Sequence, residues 1–289
     1  MSQKSVKYLL PAEDINMGGI IVKQALPTQR VPYVDPFLLL HHGTFPTRSD
    51  AAAIHQGIGP HPHRGFSPVT FVINGEIHHR DSRGNSQIAK AGEVQWMHAG
   101  AGIVHSERPS DELVEIGENQ EIIQLWINSP AKSKMNPPVY QHMGTHDLPR
   151  VPSIDKGLTT KIIAGEHGGI QSLTKTESDL LILWSRADDE GSTQFEVPQG
   201  YNSMFYVVSG SVMINGYGVV GAKNLVIFEH DGDCINLDYF KDADIILLSG
   251  MPINEKIVQH GPFVMNSQTE IMEAMRDYQM GKMGILIEE

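Results

Sequence analysis

The chain has 289 residues, enough for two domains that each bury a core. Apolar residues make up 40% and charged residues 19%, a globular balance that excludes disordered and fibrous classes. A formal net charge of −12, with no Lys/Arg run, argues against direct nucleic-acid binding and against anionic lipid surfaces.

The single cysteine, Cys234, excludes an intrachain disulfide and a sulfur-ligated cluster, and points to a reduced cytoplasmic compartment. The opening MSQKSVKYLLPAEDINMGG has no apolar core of signal-peptide length. No apolar stretch is long enough to span a bilayer. The 28 glycines and 17 prolines suit many short strands and turns.

Along the chain, the first distinctive fragment is HPHRGF (61–66). His61 and His63 stand at i, i+2, which on a strand points both imidazoles to one face. The alternative is a solvated loop, because Pro62 cannot donate to a ladder. SPVTFVINGEI (67–77) follows and reads as a strand with a Gly turn. After the strand GEVQWM (92–97) comes AGAGIVHSERP (99–109), a tight turn and then His105 and Glu107, again at i, i+2. A water-facing strand end is the alternative there. Together, two β segments supply three imidazoles and one carboxylate, a donor set suited to Fe(II), Mn, Ni, Cu, Co or Zn.

EIIQLWINSP (121–130) reads as a further strand, and NSPAKSKMNPPVYQHMGTHDLPRVPS (128–153) as a linker. DLLILW (179–184) and ADIILLSG (243–250) read as buried strands. NSMFYVVSGSVMINGYG (202–218) and KNLVIFEHDGD (223–233) echo the strand–Gly–strand units of the first half, which predicts two similar β units in tandem. One helix is predicted over 267–282, with Ser267 as N-cap, Glu270 completing a capping box, and Ile271, Ala274, Met275 and Tyr278 along one face.

HPHRGF, a hairpin carrying a His-x-Asp turn (His79, Asp81) and GEVQWMHAGAGIVHSE together closely resemble the signature of the pirins, members of the cupin superfamily. DPFLLL (35–40), LWIN (125–128) and VQHGPFVMNSQTEI (258–271) resemble other pirin segments, in the right order. The resemblance implies an all-β bicupin: two tandem cupin barrels (double-stranded β-helix, or jelly-roll) with a short C-terminal helix. The domains would be 1–130, which binds metal, a linker at 131–153, and 154–289, which lacks ligands.

The resemblance further implies one divalent transition metal, usually iron in this family, held by residues matching His61, His63, His105 and Glu107. Ser67 stands where the general cupin pattern has a Glu, which leaves Glu107 as the carboxylate ligand. His41 and His42 stand where acidic residues are expected and His98 where a small hydroxyl is commoner; they line the entrance or, the favoured reading, are polar surface. His230 and Cys234 are isolated and make no site.

Some pirins are similar to quercetin 2,3-dioxygenases, so the resemblance implies ring-opening of a planar flavonol with dioxygen, Glu107 taking the substrate proton. Phe66 and Trp126 are candidates to flank the ligand, with packing on the barrel wall as the alternative, and Arg64 and Gln124 are candidates to hydrogen-bond it. A redox-responsive metal-binding regulator that docks on a transcription factor or metabolic enzyme is the second expectation. A purely structural metal is the third. A monomer is the default.

Overall fold

The computed structural model describes residues 1–17, 19–151 and 157–288. It is built from short antiparallel strands with two α-helices, Asp111–Ile116 and Gln268–Gln279. None of the described helices is long and apolar enough to cross a membrane. The chain divides into two compact units, each built around two antiparallel sheets.

The unit with the histidine pair contains Ile15–Val22, Phe37–Thr145 and Ile253–Glu289. Its larger sheet places Val139–Met143, Val94–His98, Phe66–Asn74, Gln120–Asn128 and Phe37–Phe45 side by side. Its smaller sheet has the order Ile58–His63, Ile103–Arg108, Glu76–Asp81, Ser86–Lys90. Val72 and Ile122 from the first sheet pack on Ile77 and Ala89 from the second, so the sheets face each other across an apolar core. Ile58–His63 is an edge strand, which is why Pro60 and Pro62 are tolerated in it.

The C-terminal segment folds back onto this unit. Its helix runs over Gln268–Gln279, a little shorter than the predicted 267–282. Ser267 caps it by accepting from the Glu270 N–H at 3.3 Å, and the Glu270 carboxylate accepts from Asn266 N–H at 3.0 Å. Ile271 and Ala274 are buried with Val104, Phe263, Met265 and Met283, on the opposite side of the Ile103–Arg108 strand from His105. Met275 and Tyr278, predicted for the same face, are more than a third exposed.

The other unit contains Met1–Asp14, Lys23–Pro36 and His146–Pro252. Its seven-stranded sheet runs Val6–Pro11, Asn224–Phe228, Asn202–Ser209, Asp244–Gly250, Leu180–Ala187, Leu158–Ala164, Arg150–Val151. A four-stranded sheet of Gly191–Glu196, Cys234–Tyr239, Ser211–Ile214 and Gly218–Gly221 completes it. Leu181, Leu183, Phe205, Val226, Ile235 and Leu247 belong to one continuous apolar core. The runs at 179–184 and 243–250 are buried strands of this sheet.

The units are not divided by one cut at 131–153. Val6–Pro11 pairs antiparallel with Asn224–Phe228, which carries the N-terminus to the second unit, and residues 253–289 belong to the first. Nor is 131–153 a free spacer over its described part. Val139–Met143 is laddered to Val94–His98, and Lys134 is buried with its ammonium donating to Gly65 O, Asn128 Oδ1 and Val264 O. Residues 152 and 153, and the start of the predicted second domain at 154–156, lie outside the described residues.

Candidate metal centre

His61, His63 and His105 converge, with one ligand-type atom from each lying within 4.8 Å of the others. The register explains it. His61 lies opposite His105 in the antiparallel pair of Ile58–His63 with Ile103–Arg108, and His63 lies opposite Ile103. Alternation then sends His61 and His63 to the same face as His105. Their ring centroids are 4.8 Å (61–63), 4.3 Å (61–105) and 4.9 Å (63–105) apart. Among the described residues this is the group of His, Cys, Asp and Glu side chains with metal-holding geometry.

Gly65 makes the turn after the pair possible. Its φ is +87°, and a Cβ there would collide with Val264 O. Burial pushes the His63 and His105 imidazoles well below their usual range, and neighbouring imidazoles push further. Both are therefore neutral, the form that ligates a metal. His105 Nε2 is buried with no hydrogen-bond partner. A buried nitrogen of this kind is costly unless something occupies it. An ion bound at ~2.1 Å needs ligand atoms about 3–4 Å apart, so the trio suits one ion after a small contraction.

Glu107 is two residues beyond His105, after a register shift in the ladder. It is buried, and its Oε1 accepts from the Thr70 hydroxyl at 3.0 Å. It lies outside the tight trio yet lines the same pocket as His61 and His63. That pocket has a volume of about 260 Å³. Leu39, His41, Gly43 and Phe45 come from one strand, and Ile122, Gln124 and Trp126 from its neighbour. Leu39 pairs with Trp126, His41 with Gln124 and Gly43 with Ile122, so one face of a two-strand ladder forms a wall. Met17, Val22, Ile58 and Pro262 complete an apolar lining.

Of the residues proposed to contact a ligand, the structure therefore brings Gln124 and Trp126 to the pocket and takes the other two away. Arg64 is buried, donating from Nε to Ala101 O at 2.6 Å and from a guanidinium N–H to Asp277 Oδ2 at 3.1 Å. Its residue number places it one step off the alternation of His61 and His63, which points it to the opposite face. Phe66 is fully buried against Trp126, with centroids 4.4 Å apart, and belongs to a core cluster with Leu38 and Val264. It packs the wall and does not line the pocket.

The extra histidines divide by strand parity. His41 faces the pocket, and burial pushes it down to about 4, so it is neutral. His42 points away, its Nε2 lying 2.8 Å from Glu121 Oε1. His98 is buried, with Nδ1 3.4 Å from Ser67 Oγ. None of the three is simple polar surface.

Two further residues were not singled out as site residues by their sequence. His79 and Asp81 lie on the strand Glu76–Asp81 and not in the turn that follows it. His79 Nδ1 is 3.3 Å from His105 Nδ1, and His79 Nε2 is 3.1 Å from Asp81 Oδ2. Burial pushes the Asp81 carboxyl up, but hydrogen bonds from His79, Asn85 and the backbone outweigh it and hold the group below its usual range. The signal was the same i, i+2 spacing that marks the other two pairs.

Comparison with known proteins agrees with this geometry. The family model described as Pirin matches residues 19–127, and the one described as Pirin C-terminal cupin domain matches 183–284. Pirin-1 of Arabidopsis thaliana is 35% identical over 285 residues, covering 96% of this chain and 94% of the relative. A crystal structure of quercetin 2,3-dioxygenase from Acinetobacter baumannii superposes with a TM-score of 0.90 at 33% identity, covering 99% of this chain and 100% of that one. A bacterial pirin from Escherichia coli, solved in complex with nickel(II), shares the fold with a TM-score of 0.67 at 22% identity, covering 85% of this chain and 99% of that one. With its histidine trio in the first of two cupin domains, this chain belongs to the pirin family.

Proposed function

We propose that this protein is a metal-dependent dioxygenase that opens the ring of a flavonol such as quercetin. The observation that carries the reading is the convergence of His61 with the buried, neutral His63 and His105, beside an apolar pocket lined by His61, His63 and Glu107. The similarity to the Acinetobacter baumannii quercetin 2,3-dioxygenase supports the substrate class.

In this reading His61, His63, His105 and Glu107 hold one divalent transition metal. Iron comes first, and Mn, Ni, Cu, Co and Zn are compatible with the donor set. When bound, the ion supplies Lewis acidity to a ligated hydroxyl and a place for dioxygen.

The chain's own residues do the rest. Thr70 anchors one oxygen of Glu107, leaving the other to ligate or to take the proton of the substrate hydroxyl. Trp126, Leu39, Ile122 and Phe45 exclude water and flank a planar ring. Gln124 and neutral His41, cross-strand partners, present hydrogen-bonding groups on the wall. The buried Cys234 thiol fits a reduced, cytoplasmic location.

The test is to load apo-protein separately with Fe, Mn, Ni and Cu and incubate each with quercetin in air. Metal-dependent loss of flavonol absorbance with release of carbon monoxide is expected for at least one ion. Neither signal with any of the four would end this reading.

A further inference from the structure

We propose that Asp81 and His79 act as positioning residues that set the tautomer of His105, so that its Nε2 carries a lone pair and no proton. The inference rests on the reading of His105 as a metal ligand. It follows from hydrogen-bond polarity along one buried chain.

Asp81 is the fixed end. Its Oδ1 accepts from the backbone N–H groups of Arg83 at 2.8 Å and Asn85 at 3.1 Å, and its Oδ2 accepts from Asn85 Nδ2 at 2.7 Å. A carboxylate that receives these donors is itself only an acceptor. His79 Nε2, 3.1 Å from Oδ2, must therefore be the donor. With its one ring proton on Nε2, His79 has its lone pair on Nδ1. The contact of 3.3 Å between His79 Nδ1 and His105 Nδ1 needs one proton, and it belongs to His105. That leaves His105 Nε2, buried and without a partner, as the lone pair. The reverse arrangement would put a proton on Nε2 and aim it at the ion.

The packing holds the relay in place. His79, Asp81 and His105 are each no more than 3% exposed. The Tyr140 ring stacks flat on His79, with centroids 4.1 Å apart and planes 13° from parallel.

Topology explains why His105 needs a relay. His61 sits on the edge strand, and the Gly59 carbonyl lies 2.8 Å from His61 Nδ1. A carbonyl only accepts, so His61 Nδ1 is fixed as the donor by a single contact. The strand of His105 lies between Ile58–His63 and Glu76–Asp81, so its neighbours' carbonyls are engaged in ladders on both sides. A side-chain acceptor takes the place of the missing carbonyl.

The experiment has two arms on the full chain. First, nitrogen NMR of ¹⁵N-histidine-labelled apo wild type reads the His105 tautomer directly, the resonance being assigned by its loss in His105→Gln. Nδ1–H is expected; Nε2–H overturns the proposal without any variant. Second, nickel(II) affinity is measured by chelator competition for wild type, Asp81→Asn, His79→Ala and the double variant. Asp81→Asn keeps the shape but turns a donor toward His79, reversing the relay. It should weaken nickel binding about 10- to 100-fold. Removing His79 should make Asp81→Asn nearly silent, because both act through one contact. Wild-type affinity in Asp81→Asn, or losses that simply add in the double variant, would overturn it. A wild type that binds no nickel, iron or manganese counts against the metal reading alone, since the apo tautomer is read independently.

Discussion

Replacing Lys134 with Met removes a buried cation that holds three parts of the histidine-bearing unit. Its ammonium donates to Gly65 O at 2.7 Å, Asn128 Oδ1 at 2.7 Å and Val264 O at 2.9 Å. The variant leaves three buried acceptors unsatisfied, each worth about 1–3 kcal/mol, and so costs about 3–9 kcal/mol. Against this stands the relief of burying the charge. Burial pushes Lys134 from 10.5 down to about 8, with Glu255 and Glu270 opposing. That fall corresponds to ~3 kcal/mol. The acceptors outweigh it over nearly all of that range, so at pH 7 Lys134→Met should lose about 3 kcal/mol. The pH dependence is sharper. A lysine with a depressed folded value adds stability that is fully present above 10.5 and is lost as pH falls through about 8. Wild type should therefore gain on the variant between pH 8 and pH 10.5, by up to ~3 kcal/mol. Urea unfolding of both proteins by circular dichroism at pH 7, 9 and 10 reads the gap. A gap that stays flat or narrows with rising pH would refute the reasoning.

Three other outcomes are expected. Glu107→Gln keeps the contact with Thr70 but removes the charge, so quercetin turnover by the metal-loaded protein should fall about 100-fold or more; an unchanged rate would remove Glu107 from the reaction. Gly43→Ala places a methyl group against the Phe45 ring, which lines the pocket and must shift. Its kcat/KM for quercetin should drop about tenfold while metal content by elemental analysis stays the same, and an unaltered value would show that Phe45 does not bound the substrate. Arg64→Met breaks the buried pair with Asp277, so the melting temperature should fall while the KM for quercetin holds; a raised KM would return Arg64 to the ligand.

Much of the histidine centre was legible because strand geometry is periodic. His61 and His63, and His105 and Glu107, each stand two residues apart, and a strand sends such pairs to one face. The same rule, applied more widely, marks Leu39, His41, Gly43 and Phe45, and Ile122, Gln124 and Trp126, as two rows of one wall. It also shows why Arg64, one residue out of phase, turns to Asp277. Phe66 was less decidable, since a buried aromatic beside a site reads the same whether it packs or binds.

The sequence by itself determined the strand-and-turn character, the capped helix near the C-terminus and the ligand-type pairs, because these depend on neighbours within a few residues. Only the tertiary structure decided which pairs meet. Register placed His61 opposite His105 and His79 beside it, and register is a property of two strands far apart in the chain. The pairing of Val6–Pro11 with Asn224–Phe228, the return of residues 253–289 to the first unit and the burial of Lys134 in a supposed linker were invisible for the same reason. Each is a long-range contact whose partners carry no mark of each other in the local pattern.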